Sequence, residues 1–182
     1  MTNKPQASPG RKGLVEVFTG NGKGKTSAAL GTVLRALGHD FRVFIVHFMK
    51  GNYPYGEQKT LASLPNVTVA VYGRLSFVDP DNVEEVDREE ARKALRAARE
   101  AMLSGKYDLV VLDEVNVASA WGLIGVDEVV KLIEEKPDNV ELILTGRYAD
   151  KELVRLADLV TEMLDIKHPF DSGIEARPGI EY

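Results

Sequence analysis

The segment 108–113, DLVVLD, is apolar at every position between its two aspartates. A strand with one wet face alternates apolar and polar side chains, because successive residues point to opposite faces. A strand that does not alternate must be covered on both sides, as in a parallel sheet flanked by helices. Residues 41–48 (FRVFIVHF) and 141–145 (ELILT) have the same character, and 14–18, 67–72 and 159–167 are further β-favouring runs. Between them, helical spacing is read at 25–37, 57–64, 83–102, 126–135 and 151–157. Strand and helix therefore alternate. The expectation is a three-layer α/β sandwich with a mostly parallel central sheet.

A chain of 182 residues suits one domain with a sizeable core. Residues 1–12 are polar and rich in Pro, Gly and Ser, which predicts a flexible tail ahead of a single domain over 13–182. The net charge of −5 gives no basic field for nucleic acid. Cysteine is absent, which excludes disulfides, thiolate catalysis and Cys-based metal centres. His39, His47 and His168 are scattered and read as packing or hydrogen-bonding residues. The N-terminus has no apolar secretion segment, and nothing approaches the roughly 20 apolar residues of a membrane span. A cytoplasmic protein without membrane or nucleic-acid partners is expected.

Residues 18–29 read FTGNGKGKTSAA and join the first strand to the first helix. The phosphate-gripping pattern G-x-x-x-x-G-K-[ST] asks for glycine five places before Gly24, where this chain has Thr19. Glycines let backbone N–H groups turn around an anion, and the following helix adds its positive end. Gly20, Asn21, Gly22, Lys23, Gly24, Lys25, Thr26 and Ser27 form the candidate nucleotide loop. Lys25 is its mobile charge, and the Thr26 hydroxyl is a magnesium ligand. The competing reading is a plain glycine turn before a helix. The coincidence of strand, loop, GKT and helix favours nucleotide, and a P-loop NTPase-like (RecA-like) version of the sandwich.

Asp113 and Glu114 emerge where the buried strand 108–113 ends, and oxygen ligands there suit Mg²⁺ or Mn²⁺. In the TGR stretch (145–147), Arg147 reads either as a forked phosphate ligand or as a surface salt bridge. Lys25 and Arg147 are the candidate catalytic residues. Thr26, Asp113 and Glu114 are the candidate metal set.

The chain resembles the P-loop type of ATP:corrinoid adenosyltransferase from about Val15 to Tyr182. The resemblance rests on FTGNGKGKT (18–26), RALGH (35–39), VHFMKGNYPYGE (46–57), VVLDEVN (110–116), TGR (145–147) and KHPFDSGIEARPGIEY (167–182). It implies an alkyl-type transferase in which cobalt(I) of a reduced corrinoid attacks C5′ of ATP and expels triphosphate. The corrinoid would be cobalamin or cobyrinic acid a,c-diamide. The resemblance further implies ATP held reversed in the loop, a homodimer and a flavoprotein reductant. Arg35, Lys50 and the Asn52-Tyr53 loop are candidates for nucleotide or corrinoid contacts.

Many members of that family carry G-F-T-W after the third strand, with aromatics thought to help remove the corrinoid's lower axial ligand. Here the stretch is Gly73-Arg74-Leu75-Ser76-Phe77. Phe77 reads either as the substitute wall or as a packing residue capping the sheet edge. Two rival functions share the loop: a nucleotide or nucleoside kinase, which would yield ADP, and a non-catalytic protein that binds ATP or adenosylcorrinoid. A RecA-like motor is disfavoured by the acidic chain.

Overall fold

The computed structural model describes residues 12–51 and 55–182. Its centre is a sheet of six strands, all parallel, in the order β3-β2-β4-β5-β1-β6. In chain order these are β1 (Val15–Thr19), β2 (Val43–His47), β3 (Val67–Val71), β4 (Leu109–Asp113), β5 (Glu141–Thr145) and β6 (Leu159–Glu162). The helices are α1 (Lys25–Leu37), α2 (Gly56–Ala62), α3 (Glu85–Leu103), α4 (Val115–Ala120), α5 (Val126–Glu134) and α6 (Lys151–Leu156). The expected α/β sandwich is what forms.

Every residue of β2 and of β4 is buried, as their unbroken apolar runs require. Alternate strand side chains feed two separate cores. Phe44, Val46, Val110, Leu112, Leu142 and Leu144 pack with α3, α5 and α6 on one face. Ile45, Leu109, Val111 and Ile143 meet Ala29, Val33 and Ala36 of α1 and Leu61 of α2 on the other. The strands therefore share one direction, and their carboxyl ends open along one rim of the sheet. Ligands of open α/β sheets bind at that rim.

Two elements depart from the sequence reading. The last strand stops at Glu162, not near 167, and the chain beyond turns along the glycine loop: Met163 N–H donates to Thr19 O (2.8 Å), and Gly22 N–H donates to Met163 O (2.7 Å). Helix α4 has no counterpart among the expected helices. It starts one residue after β4, across a left-handed turn at Glu114 (φ 67°), and six residues are too short to show a period.

Candidate active site at the carboxyl rim

The phosphate-type loop lies between β1 and α1. Gly24 holds φ at 125°, a conformation open to glycine alone, and so turns the chain into the helix beginning at Lys25. Gly20 and Gly22 serve a different need. A Cβ on either would collide with the backbone of Met163 or Leu164, so these glycines let the 163–164 segment lie against the loop. Thr19, in place of the missing glycine, ends β1, and its hydroxyl accepts the Ala149 N–H at 3.2 Å. The substitution ties the loop to the segment after β5.

Lys25 is buried, and its ammonium donates to the Gly22 carbonyl at 2.8 Å. Burial, and then the nearby Arg147 charge, push its pKa below the usual lysine value, partly offset by Glu114. The loop thus stores a cation that gains from an arriving polyanion.

Three strand ends converge on Asp113, which is 1% exposed. His47 lies beside it in the β2–β4 register and places Nδ1 2.8 Å from Oδ2. The Lys50 ammonium reaches Oδ2 at 2.6 Å. The hydroxyls of Thr145 (2.7 Å) and Thr26 (2.9 Å) both donate to Oδ1. Burial alone would raise the Asp113 carboxyl. The Lys50 charge and the His47 hydrogen bond outweigh it and hold the carboxyl well below the ordinary range. Lys50 in turn lies 4.5 Å from the centre of the Tyr55 ring, a cation–π distance.

Glu114 faces a different setting. Burial first, and then repulsion by Asp113, raise its pKa, against Lys50, Lys25 and Arg147. Its left-handed backbone costs about 1–2 kcal/mol, a strain that tends to collect at functional sites. Its N–H donates to Thr145 Oγ1 at 3.0 Å, which fixes the turn.

A cavity of about 930 Å³ lies at this rim. Lys23, Gly24, Lys25, Thr26, Ser27, Lys50, Phe77, Glu114 and Arg147 all line it. Asp113 sits behind Thr26, and Gly20, Asn21 and Gly22 of the loop are outside the lining. Arg35 is not brought to the cavity. It occupies the last turn of α1, roughly 15 Å along the helix from Lys25 at about 1.5 Å per residue. The Asn52-Tyr53 loop lies outside the described residues.

Phe77 is 79% exposed, belongs to neither core cluster of the described residues and lines the cavity. Its segment is docked from below. Arg74 grips the buried Asp87 through Nε (2.7 Å) and Nη2 (2.9 Å), and Gly51 and Gly73 let the two backbones approach. Sequence reading missed Trp121, Val117, Tyr148 and the C-terminal residues 179–182, all of which line the cavity. Only the last carried a signal, as part of the motif 167–182.

A divalent cation finds suitable chemistry here. Thr26 gives its single hydrogen to Asp113, which leaves the lone pairs of Oγ1 for a cation, and Glu114 adds a carboxylate at the cavity wall. Among the described residues no cluster of three His, Cys, Asp or Glu could hold a metal alone, so phosphate oxygens would complete such a shell.

The sequence profile of the family described as ATP:corrinoid adenosyltransferase BtuR/CobO/CobP matches residues 11–182. A corrinoid adenosyltransferase of Escherichia coli (strain K12) is 37% identical over 171 residues, covering 94% of this chain and 86% of the relative. Corrinoid adenosyltransferase CobA of Salmonella typhimurium is 35% identical over 171 residues, with the same coverage. A corrinoid adenosyltransferase of Pseudomonas aeruginosa is 37% identical over 173 residues, covering 94% of this chain and 84% of the relative. No helix among the described residues is long and apolar enough to cross a membrane.

Proposed function

The chain belongs to the ATP:corrinoid adenosyltransferase family BtuR/CobO/CobP, and from that premise we propose how its own residues perform the reaction. It is an enzyme that transfers the 5′-deoxyadenosyl group of ATP to cobalt(I) of a reduced corrinoid. A cobalt–carbon bond forms, the C5′–oxygen bond breaks, and triphosphate leaves with the electron pair. The nucleophile is already strong, so the work left to the protein is to align C5′ and to stabilise the departing anion.

The observation that best supports this assignment is the mixed charged and apolar lining of the cavity. Lys25, Lys50 and Arg147 supply cations, while Phe77, Val117 and Trp121 supply apolar surface. In our reading Lys25 leaves the Gly22 carbonyl for the triphosphate, and Arg147 meets it from the end of β5. The residues Gly24 to Ser27 cradle the phosphates with the N-terminus of α1. Lys50 keeps Asp113 charged, and Asp113 orients the Thr26 hydroxyl. Thr26 and Glu114 would hold Mg²⁺ or Mn²⁺, which supplies charge neutralisation for the triphosphate. The cytoplasmic setting, homodimer and flavoprotein electron donor implied by the sequence resemblance are carried into this proposal.

The test is to supply ATP with chemically reduced cobalamin under anaerobic conditions. Absorbance follows the cobalt–carbon product, and phosphorus NMR identifies the inorganic one. Intact triphosphate in step with adenosylcobalamin is expected. Stoichiometric ADP would overturn the assignment in favour of a kinase, and ATP binding without turnover would indicate a binding protein.

A further inference from the structure

The C-terminal stretch has no part in the chemistry above, yet its end reaches the phosphate loop. Residues 177–182 fold into a compact turn. Ile180 N–H (3.2 Å) and Glu181 N–H (3.0 Å) donate to Arg177 O, and Gly179 N–H donates to Tyr182 O (2.7 Å). Arg177 holds the Glu181 carboxylate through its backbone N–H, Nε and Nη2, at 2.8, 3.2 and 3.0 Å. Those bonds, with one from Lys23, hold the Glu181 carboxyl down at about 2.

Lys23 fixes this turn in place. Its ammonium donates to the Ile180 carbonyl at 3.0 Å and to Glu181 Oε1 at 2.9 Å. On the far side, a Cβ built on Gly56 would come within 3.9 Å of the Tyr182 carbonyl, so Tyr182 abuts the first turn of α2. The turn therefore spans from the phosphate loop to α2, and residues 179–182 line the cavity between them. A short turn that adds nothing to either core frays unless something ties it down. Here the tie is a residue of the phosphate loop itself.

We propose that residues 177–182 are a working wall of the nucleotide site, and that Lys23 is a positioning residue acting on the nucleotide through this strap. The proposal rests on the assignment of the cavity to ATP. It places Lys23 apart from Lys25, whose ammonium rests on the Gly22 carbonyl. It also gives the end of the 167–182 motif a physical role, because the Glu181 carboxylate is the anion that Lys23 holds.

The test separates indirect from direct action of Lys23. ATP affinity is read from the fluorescence of Trp121, the only tryptophan, which lines the same cavity. Four chains are compared: the full chain and a chain ending at residue 176, each with and without Lys23→Met. Residues 177–182 contribute nothing to either core, and circular dichroism checks the fold of the shortened chain. In the full chain, Lys23→Met weakens ATP binding about fivefold, the scale of one exposed charged pair. In the shortened chain, affinity is already reduced and Lys23→Met changes it less than about twofold. Glu181→Gln in the full chain weakens binding in the same direction. Equal losses from Lys23→Met in both backgrounds, or full affinity in the shortened chain, would overturn the proposal. Strap-dependent ATP binding in a protein that forms no cobalt–carbon bond would instead defeat the reaction assignment and leave the strap standing.

Discussion

The hydroxyl of Thr26 donates to Oδ1 of Asp113 at 2.9 Å, across 87 residues of sequence. The bond joins the phosphate loop to the end of β4 and dictates which way the Thr26 lone pairs face. Asp113 is in turn held by Lys50, His47 and Thr145. Loop geometry and the charge balance of the buried rim are thus a single arrangement.

Asp113→Asn keeps the shape of the side chain and removes its charge, leaving the Lys50 ammonium buried beside a neutral group. Breaking a buried ion pair from one side costs about 3–5 kcal/mol. Chemical denaturation should register a loss of that size, and a change below about 1 kcal/mol would show that Lys50 finds another anion. Thr26→Ser keeps the hydroxyl and should keep the metal dependence of turnover. Thr26→Val should raise the Mg²⁺ concentration needed for half-maximal rate. Identical metal titrations for the two variants would remove Thr26 from the metal shell.

Lys25 separates stability from catalysis. Its ammonium is buried against a carbonyl and repelled by Arg147, so the free protein gains little from it. Lys25→Ala should leave the melting temperature unchanged or raise it, while lowering the rate by about 10²–10³, the usual effect of losing one preorganised charge-stabilising group. Near-normal turnover in this variant would show that the loop does not serve the leaving group.

Glu16 on β1 provides a test of pH dependence away from the site. Burial first, and then the neighbouring Glu141, raise its pKa above the ordinary glutamate value. A carboxyl whose folded pKa is raised contributes stability while it is protonated. That stability is fully present below the unfolded pKa and is lost as pH rises through the folded one. Glu16→Gln should therefore stabilise the protein at neutral pH, with the gain shrinking as pH falls to the ordinary glutamate range. A melting-temperature difference independent of pH would show that Glu16 is not so perturbed.

Much of this arrangement can be read from residues 108–113 and 18–29 alone. Strands buried on both faces keep polar residues to their ends, so β2, β4 and β5 appear as apolar runs, and Gly24-Lys25-Thr26 marks the loop without help from the fold. Proximity between distant segments is harder to read. His47 reads as a packing or hydrogen-bonding residue, and only parallel register shows that its partner is Asp113. Arg35 shares a helix with Lys25, but helical rise carries it away from the rim. Trp121 reaches the cavity because a one-residue left-handed turn at Glu114 starts α4 where periodicity has no room to appear. The hold of Lys23 on Glu181 spans 158 residues and has no local pattern at all.

The apolar wall gives the last prediction. Phe77 stands on a loop clamped by Arg74 and Asp87, exposes most of its ring, and shares the cavity with Trp121. An apolar wall favours a low-coordinate cobalt centre by excluding water and competing ligands, which eases reduction of cobalt(II). A buried phenylalanine truncated to alanine would cost about 3–5 kcal/mol. At 79% exposure, Phe77→Ala should change stability by less than about 0.5 kcal/mol, as ordinary surface substitutions do. Any loss of function is then readable without a folding correction. Adenosylation should fall when a flavoprotein supplies the electrons, because that route must pass through the hard reduction step. It should be largely spared when strong chemical reduction delivers cobalt(I) directly. Equal losses under the two reductants would mean that Phe77 contacts the substrates in the transfer step itself and has no part in easing the reduction.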